Sequence, residues 1–168
     1  MAVCRYKHVA ICNLIYDGDL AAAMKTAMPE KFQHIYVAGN STLPKGSYGI
    51  MQAMNMSNFV PNQSCLPAGQ VHINVQVELD DDQAAAKNHE AVLDASHKFL
   101  LKALKLDSPA PPFHRHVKFL PNGFPLFTPG DQMKKLAHLI NRKDKKLAIA
   151  GNYLSRTAIS FAIKLARS

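Results

Sequence analysis

The segment Val71-His72-Ile73-Asn74-Val75-Gln76-Val77-Glu78-Leu79 alternates apolar and polar residues without a fault. A β-strand turns successive side chains to opposite faces. This spacing therefore predicts a strand with Val71, Ile73, Val75, Val77 and Leu79 on one face and His72, Asn74, Gln76 and Glu78 on the other. Asp80, Asp81 and Asp82 come next, where negative charge favours a helix N-terminus. Residues 83–106 place Ala85, Val92, Phe99 and Ala103 near helical spacing, which predicts one long amphipathic helix packed on the sheet.

Toward the N-terminus, the apolar run at 8–15 reads as a strand. Asp17 and Asp19 are candidate caps for a helix over 20–28, which Pro29 ends. Residues 32–38 read as a second strand, broken by Gly39, Asn40 and Pro44-Lys45-Gly46, and 47–54 as a third. Met51, Met54 and Met56 fit an irregular core or an adaptable apolar pocket. The turn-rich stretch 61–69 is where a boundary within the chain would fall.

Toward the C-terminus, a stiff proline-rich connector at 108–112 leads to an alternating strand over 113–119. Three prolines and two glycines in 121–130 predict an irregular loop, followed by a helix over 131–141. A short strand over 145–150, a break at Gly151 and a closing helix over 157–167 complete the chain. The echo between residues 35–40 and 147–152 is not followed by matching segments and reads as shared strand-end chemistry. The mixture of hairpin-like and crossover connections predicts an α+β fold, a mixed sheet with packed helices in a single domain over 1–168.

The 168 residues, 48% hydrophobic and 19% charged, suit one globular domain and not a disordered chain. No stretch carries the eighteen or so apolar residues of a membrane helix, and Arg5 and Lys7 at the start argue against a cleavable signal peptide. Cys4, Cys12 and Cys65 lack C-x-x-C spacing, so a cytoplasmic or other reducing compartment is expected. The net charge of +8 favours an anionic partner. The lysines are spread and lack the aromatic interleaving of a single-strand binder, which argues against nucleic acid.

Several residue groups carry side chains capable of chemistry. His114 and His116 share a strand face but lack a third metal ligand, and read as solvated. His89 and His97 lie eight residues apart, too far along a helix to share an ion. Asp80 to Asp82 are explained by the helix start, and Ser64-Cys65 has no adjacent base. The strand, Gly151-Asn152 and helix sequence near the C-terminus could hold a phosphate or a flavin oxygen, since a helix N-terminus presents unpaired N–H groups.

The ordered run Phe113-His114-Arg115-His116-Val117-Lys118-Phe119-Leu120-Pro121, then Phe124 to Asp131, the 133–140 helix and Leu147-Ala148-Ile149-Ala150-Gly151-Asn152-Tyr153-Leu154 resembles the C-terminal portion of the protoporphyrinogen-oxidase and flavin amine-oxidase family. The likeness covers nearly the whole chain and is stronger from Pro67 onward. It implies a sheet with helices over a substrate cavity, and a final strand-turn-helix lying against FAD. On this resemblance Gly151 and Asn152 approach the flavin and Ala158 with Ile159 begins the helix beside it. Two departures stand out. Arg156 occupies a position where the family usually has glycine, and no G-x-G-x-x-G follows an N-terminal strand, so the pyrophosphate cradle is missing.

The reading that follows is a partial flavin-dependent oxidoreductase, with an FAD-binding partner subunit supplying the nucleotide-binding half. Arg115, Lys118 and Arg156 are the candidates to pair with a carboxylate-bearing ligand such as a tetrapyrrole. No general base is required, because the flavin carries the redox step. The alternative is a non-catalytic basic module that binds an anionic ligand or assembles with a protein.

Overall fold

The computed structural model of the chain describes residues 5–29, 34–36, 46–59, 66–107 and 110–126. Five strands are present: β1 (Arg5–Tyr16), β2 (His34–Tyr36), β3 (Gly49–Asn55), β4 (Val71–Leu79) and β5 (His114–Leu126). The helices are α1 (Gly18–Ala27), α2 (Met56–Phe59), α3 (Asp81–Ala86) and α4 (His89–Leu104). The strands form one sheet in the order β2-β3-β4-β1-β5. β2 with β3, β3 with β4, and β4 with β1 pair antiparallel. β1 and β3 are therefore parallel to each other with β4 between them, and α1 and β2 lie in their connection. This is a split β-α-β arrangement within the expected α+β class.

The alternation of β4 is realised as read. Val71, Ile73, Val75, Val77 and Leu79 are buried together with Ala10, Cys12, Leu14 and Tyr16 of β1 and Ile50 and Ala53 of β3. Leu20, Ala21 and Met24 of α1 and Val92, Leu93 and Leu100 of α4 pack on this same face. The register explains the grouping, because Cys12 and Ala53 both stand opposite Val75, and partners in a ladder share a face. Burying a side chain of valine or leucine size stabilises by roughly 1.5–3 kcal/mol, so this layer holds sheet and helices together.

Two expectations are corrected. The helix foreseen over 83–106 is two helices, because Lys87 adopts a left-handed backbone (φ 45) and Asn88 caps α4 by accepting from the Ala91 N–H. The Asp80 carboxylate accepts from the Gln83 N–H while Gln83 reaches back to the Asp80 N–H, a capping box that confirms the helix start. The loop foreseen from 121 is instead strand as far as Leu126, since β5 lies at the edge of the sheet, where a proline leaves no ladder bond unmade. The short helix α2, which nothing in the residue pattern announced, follows β3 directly.

The chain divides into two compact units, His8–Pro121 and a second made of Met1–Lys7 with Asn122–Ser168. Of the second, the described residues are the outer ends of β1 and β5. The helix over 131–141, the strand over 145–150 and the closing helix over 157–167 lie outside the described residues.

Candidate functional site on the polar sheet face

On the face of the sheet opposite α1 and α4, the consecutive polar positions 72, 74 and 76 of β4 carry an imidazole and two amides in place of the lysines and glutamates of a fully solvated surface. His72 stands opposite Ile15, Asn74 between Asn13 and Met54, and Gln76 between Ile11 and Gln52. A bulge between Ile50 and Gln52 brings Gln52 onto this face. Without the extra residue it would stand opposite Val75, on the apolar side.

Asn13 is the centre of the row. Its Oδ1 accepts from Asn74 Nδ2 at 3.0 Å and lies 3.0 Å from His72 Nε2. An amide oxygen only accepts, so Nε2 carries the imidazole proton. The His72 backbone N–H donates to Ser57 Oγ at 2.9 Å, and the Ser57 N–H to Asn55 Oδ1 at 3.1 Å, which ties α2 to the start of β4. Burial holds His72 below its ordinary pKa and keeps it neutral. Asn74 is only 8% exposed. Among the described residues neither Asn74 Oδ1 nor Gln76 Oε1 has a hydrogen-bond partner. A buried acceptor left in that state costs about 1–3 kcal/mol.

A second polar group lies on the helix side. Arg115 of β5 reaches Glu90 Oε2 at 2.6 Å and Asp94 Oδ1 at 2.9 Å, both on α4. Beside it, His97 Nδ1 lies 3.1 Å from the Tyr16 hydroxyl. Burial depresses the His97 pKa, the Asp94 charge opposes that shift and the Arg115 charge adds to it. Burial pushes the Tyr16 phenol up, and burial pushes the Cys12 thiol of the same strand up to about 11, with its hydrogen bond to Ser96 the lesser, opposing cause. Neither group ionises at neutral pH, so this cluster is structural ballast for the core and offers no nucleophile.

The sequence-derived candidates separate. Arg115 points to the helix side, as do Val117 in the core and Phe119, whose ring packs against His89 at 5.1 Å. Strand alternation then puts Lys118, His114 and His116 on the polar face, where all three are exposed. Gly151, Asn152, Arg156, Ala158 and Ile159 lie outside the described residues. Asn13, Asn74 and Gln76 were not singled out from sequence. The only signal for Asn74 and Gln76 is the run of uncharged polar residues at 72, 74 and 76 of β4.

Among the described residues nothing fits the pyrophosphate of FAD. The β1–α1 turn places Asp17 at the helix cap and Asp19 in the first turn, and α3 opens with Asp80, Asp81 and Asp82. Carboxylates at these helix N-termini repel the anion that such a terminus would otherwise hold.

No protein-family model matches the chain, and no curated protein matches it in sequence. Among solved structures, the fold is similar to a protein of Exiguobacterium sp. 255-15 described as a "Putative protoporphyrinogen oxidase", with a TM-score of 0.56 and 14% identity. The likeness covers 89% of this chain and 30% of that one. The class this defines is an α+β fold shared with part of a larger chain. Among the described residues no helix is long and apolar enough to cross a membrane.

Proposed function

We propose that the chain supplies the substrate side of a flavin-dependent oxidoreductase of the protoporphyrinogen-oxidase and amine-oxidase type, completing an FAD site with a partner that brings the nucleotide-binding part. The observation that carries this reading is that nearly all of the chain superimposes on less than a third of the Exiguobacterium protein. The acidic helix starts accord with it, since the dinucleotide must then be held chiefly by another polypeptide.

In this reading the polar sheet face looks toward the ligand. Lys118 on that face and Arg156 are the anchors for a carboxylate-bearing, tetrapyrrole-like molecule. Arg115 could serve only by giving up Glu90 and Asp94, which makes it the weaker anchor. Gly151, Asn152, Ala158 and Ile159 take the flavin side. FAD would supply the redox chemistry, and this chain the positioning.

Thermal melting of the purified chain tests the proposal. A dicarboxylate porphyrin should raise Tm by itself, and FAD should raise it only once a nucleotide-binding partner chain is added. If neither compound moves the melt with the partner present, the flavin reading fails. A rise with heparin alone would favour the basic binding module.

A further inference from the structure

We infer that the sheet face around Asn74 and Gln76 is a binding site for a small molecule with an apolar body and N–H donor groups. This does not rest on the flavin reading. Asn74 and Gln76 are two residues apart on one face of β4, about 6.6 Å along the strand. Asn74 Oδ1 and Gln76 Oε1 are both buried acceptors without a partner among the described residues. On the same face Asn13 already has its Oδ1 engaged by His72 and Asn74, and Gln52, although it stands beside Gln76, makes no hydrogen bond to Gln76 Oε1. Neither oxygen receives a donor from the described residues, and a ligand that binds there can bring one to each.

The flanking positions define the rest of the ligand. Met54 stands on one side of Asn74 and Ile11 on one side of Gln76, with the amides of Asn13 and Gln52 on the other sides, so each acceptor residue has one apolar flank. Met54 adapts its shape to the group it meets. One step further along β4, Glu78 stands between Val9 and Gly49, which has no side chain to fill its place in the row. Unpartnered acceptors with an apolar flank select an amine, amidine or pyrrole-type N–H on a hydrophobic frame. They give no bond to a carboxylate, which can only accept and would need a cation such as Lys118 elsewhere on the face.

Two probes of equal body separate the site from the general charge of the molecule. Phenethylammonium offers N–H donors, and 3-phenylpropionate offers only acceptors. The net charge of +8 should favour the carboxylate everywhere on the surface, so preference for the amine must come from a particular site.

The expected result is a rise in Tm with phenethylammonium, a smaller one or none with 3-phenylpropionate, and movement of the Asn74 and Gln76 side-chain amide signals in the NMR spectrum of isotope-labelled protein. Gln76→Met keeps the size of the side chain and removes the orphaned oxygen. It should raise Tm of the free protein by about 3 °C and abolish most of the response to the amine. Asn74→Leu should behave alike in the second respect, and the NMR titration of unsubstituted protein stands even if that variant fails to fold. If the amine leaves Tm and both amide signals unmoved, or if Gln76→Met binds it as well as before, the acceptors serve only buried water and the inference is wrong. None of these outcomes bears on FAD, so the two proposals fail separately.

Discussion

The Tyr16 hydroxyl meets His97 Nδ1 at 3.1 Å, and the two rings stack with centroids 5.8 Å apart at 28°. One residue ends β1 and the other sits in the middle of α4, so the pair ties the helix to the sheet between buried Tyr16 and half-buried His97. Neutral imidazole can accept from the phenol, and protonated imidazole can donate to it. The contact survives either state.

Tyr16→Phe keeps the stacked ring and removes only the hydroxyl. It should lower stability by about 1 kcal/mol, read as a shift in the urea midpoint at unchanged slope. A loss several times larger would show that the hydroxyl has a further buried role.

Stability should fall as the solution is acidified below about pH 6.5. His72 and His97 both have folded pKa values below their ordinary one, with burial the first cause. The unfolded chain therefore binds protons that the folded chain refuses, and the loss begins at the unfolded value of about 6.5 and deepens toward the depressed folded values. His72→Gln should flatten a plot of Tm against pH between about 6.5 and 5. An unaltered plot would show that His72 titrates normally.

Arg115→Gln and Lys118→Gln should separate two roles. The ion pairs of Arg115 with Glu90 and Asp94 are partly exposed, with the arginine side chain 38% accessible, so the first variant should cost less than about 1 kcal/mol and make stability less sensitive to salt. Lys118→Gln should leave stability within about 0.5 kcal/mol of the original and weaken porphyrin-dicarboxylate binding. The reverse pattern in a binding titration would move the carboxylate anchor to the helix side.

Leu100 is fully buried in α4, so Leu100→Ala should cost about 2–5 kcal/mol in chemical denaturation. Asn88→Ala removes the side chain that accepts from Ala91 and should cost about 1 kcal/mol. Lys87→Gly relieves a left-handed residue at the end of α3 and should recover a comparable amount, opposite in sign to the effect of a glycine inside a helix.

The alternation from Val71 to Leu79 determined by itself that β4 is a strand with one apolar face, because the two-residue period of an extended chain depends on nothing beyond its neighbours. The capping of α3 by Asp80 was equally local, and so was the end of α1 before Pro29. The break at Lys87 and Asn88 was written in a cap residue that a helical pattern over 83–106 overrode.

Only the tertiary structure decided which polar residues meet. His72 reaches Asn13 across 59 positions of the chain, Tyr16 reaches His97 across 81, and Arg115 finds Asp94 across 21. Such pairs depend on strand register, on the bulge before Gln52 and on which face α4 lays against the sheet. A shift of one residue would turn Asn13 to the other face and take apart the whole row. Alternation could show that Asn74 and Gln76 are on the polar side. That their oxygens are buried and lack donors follows from packing, which no local period encodes.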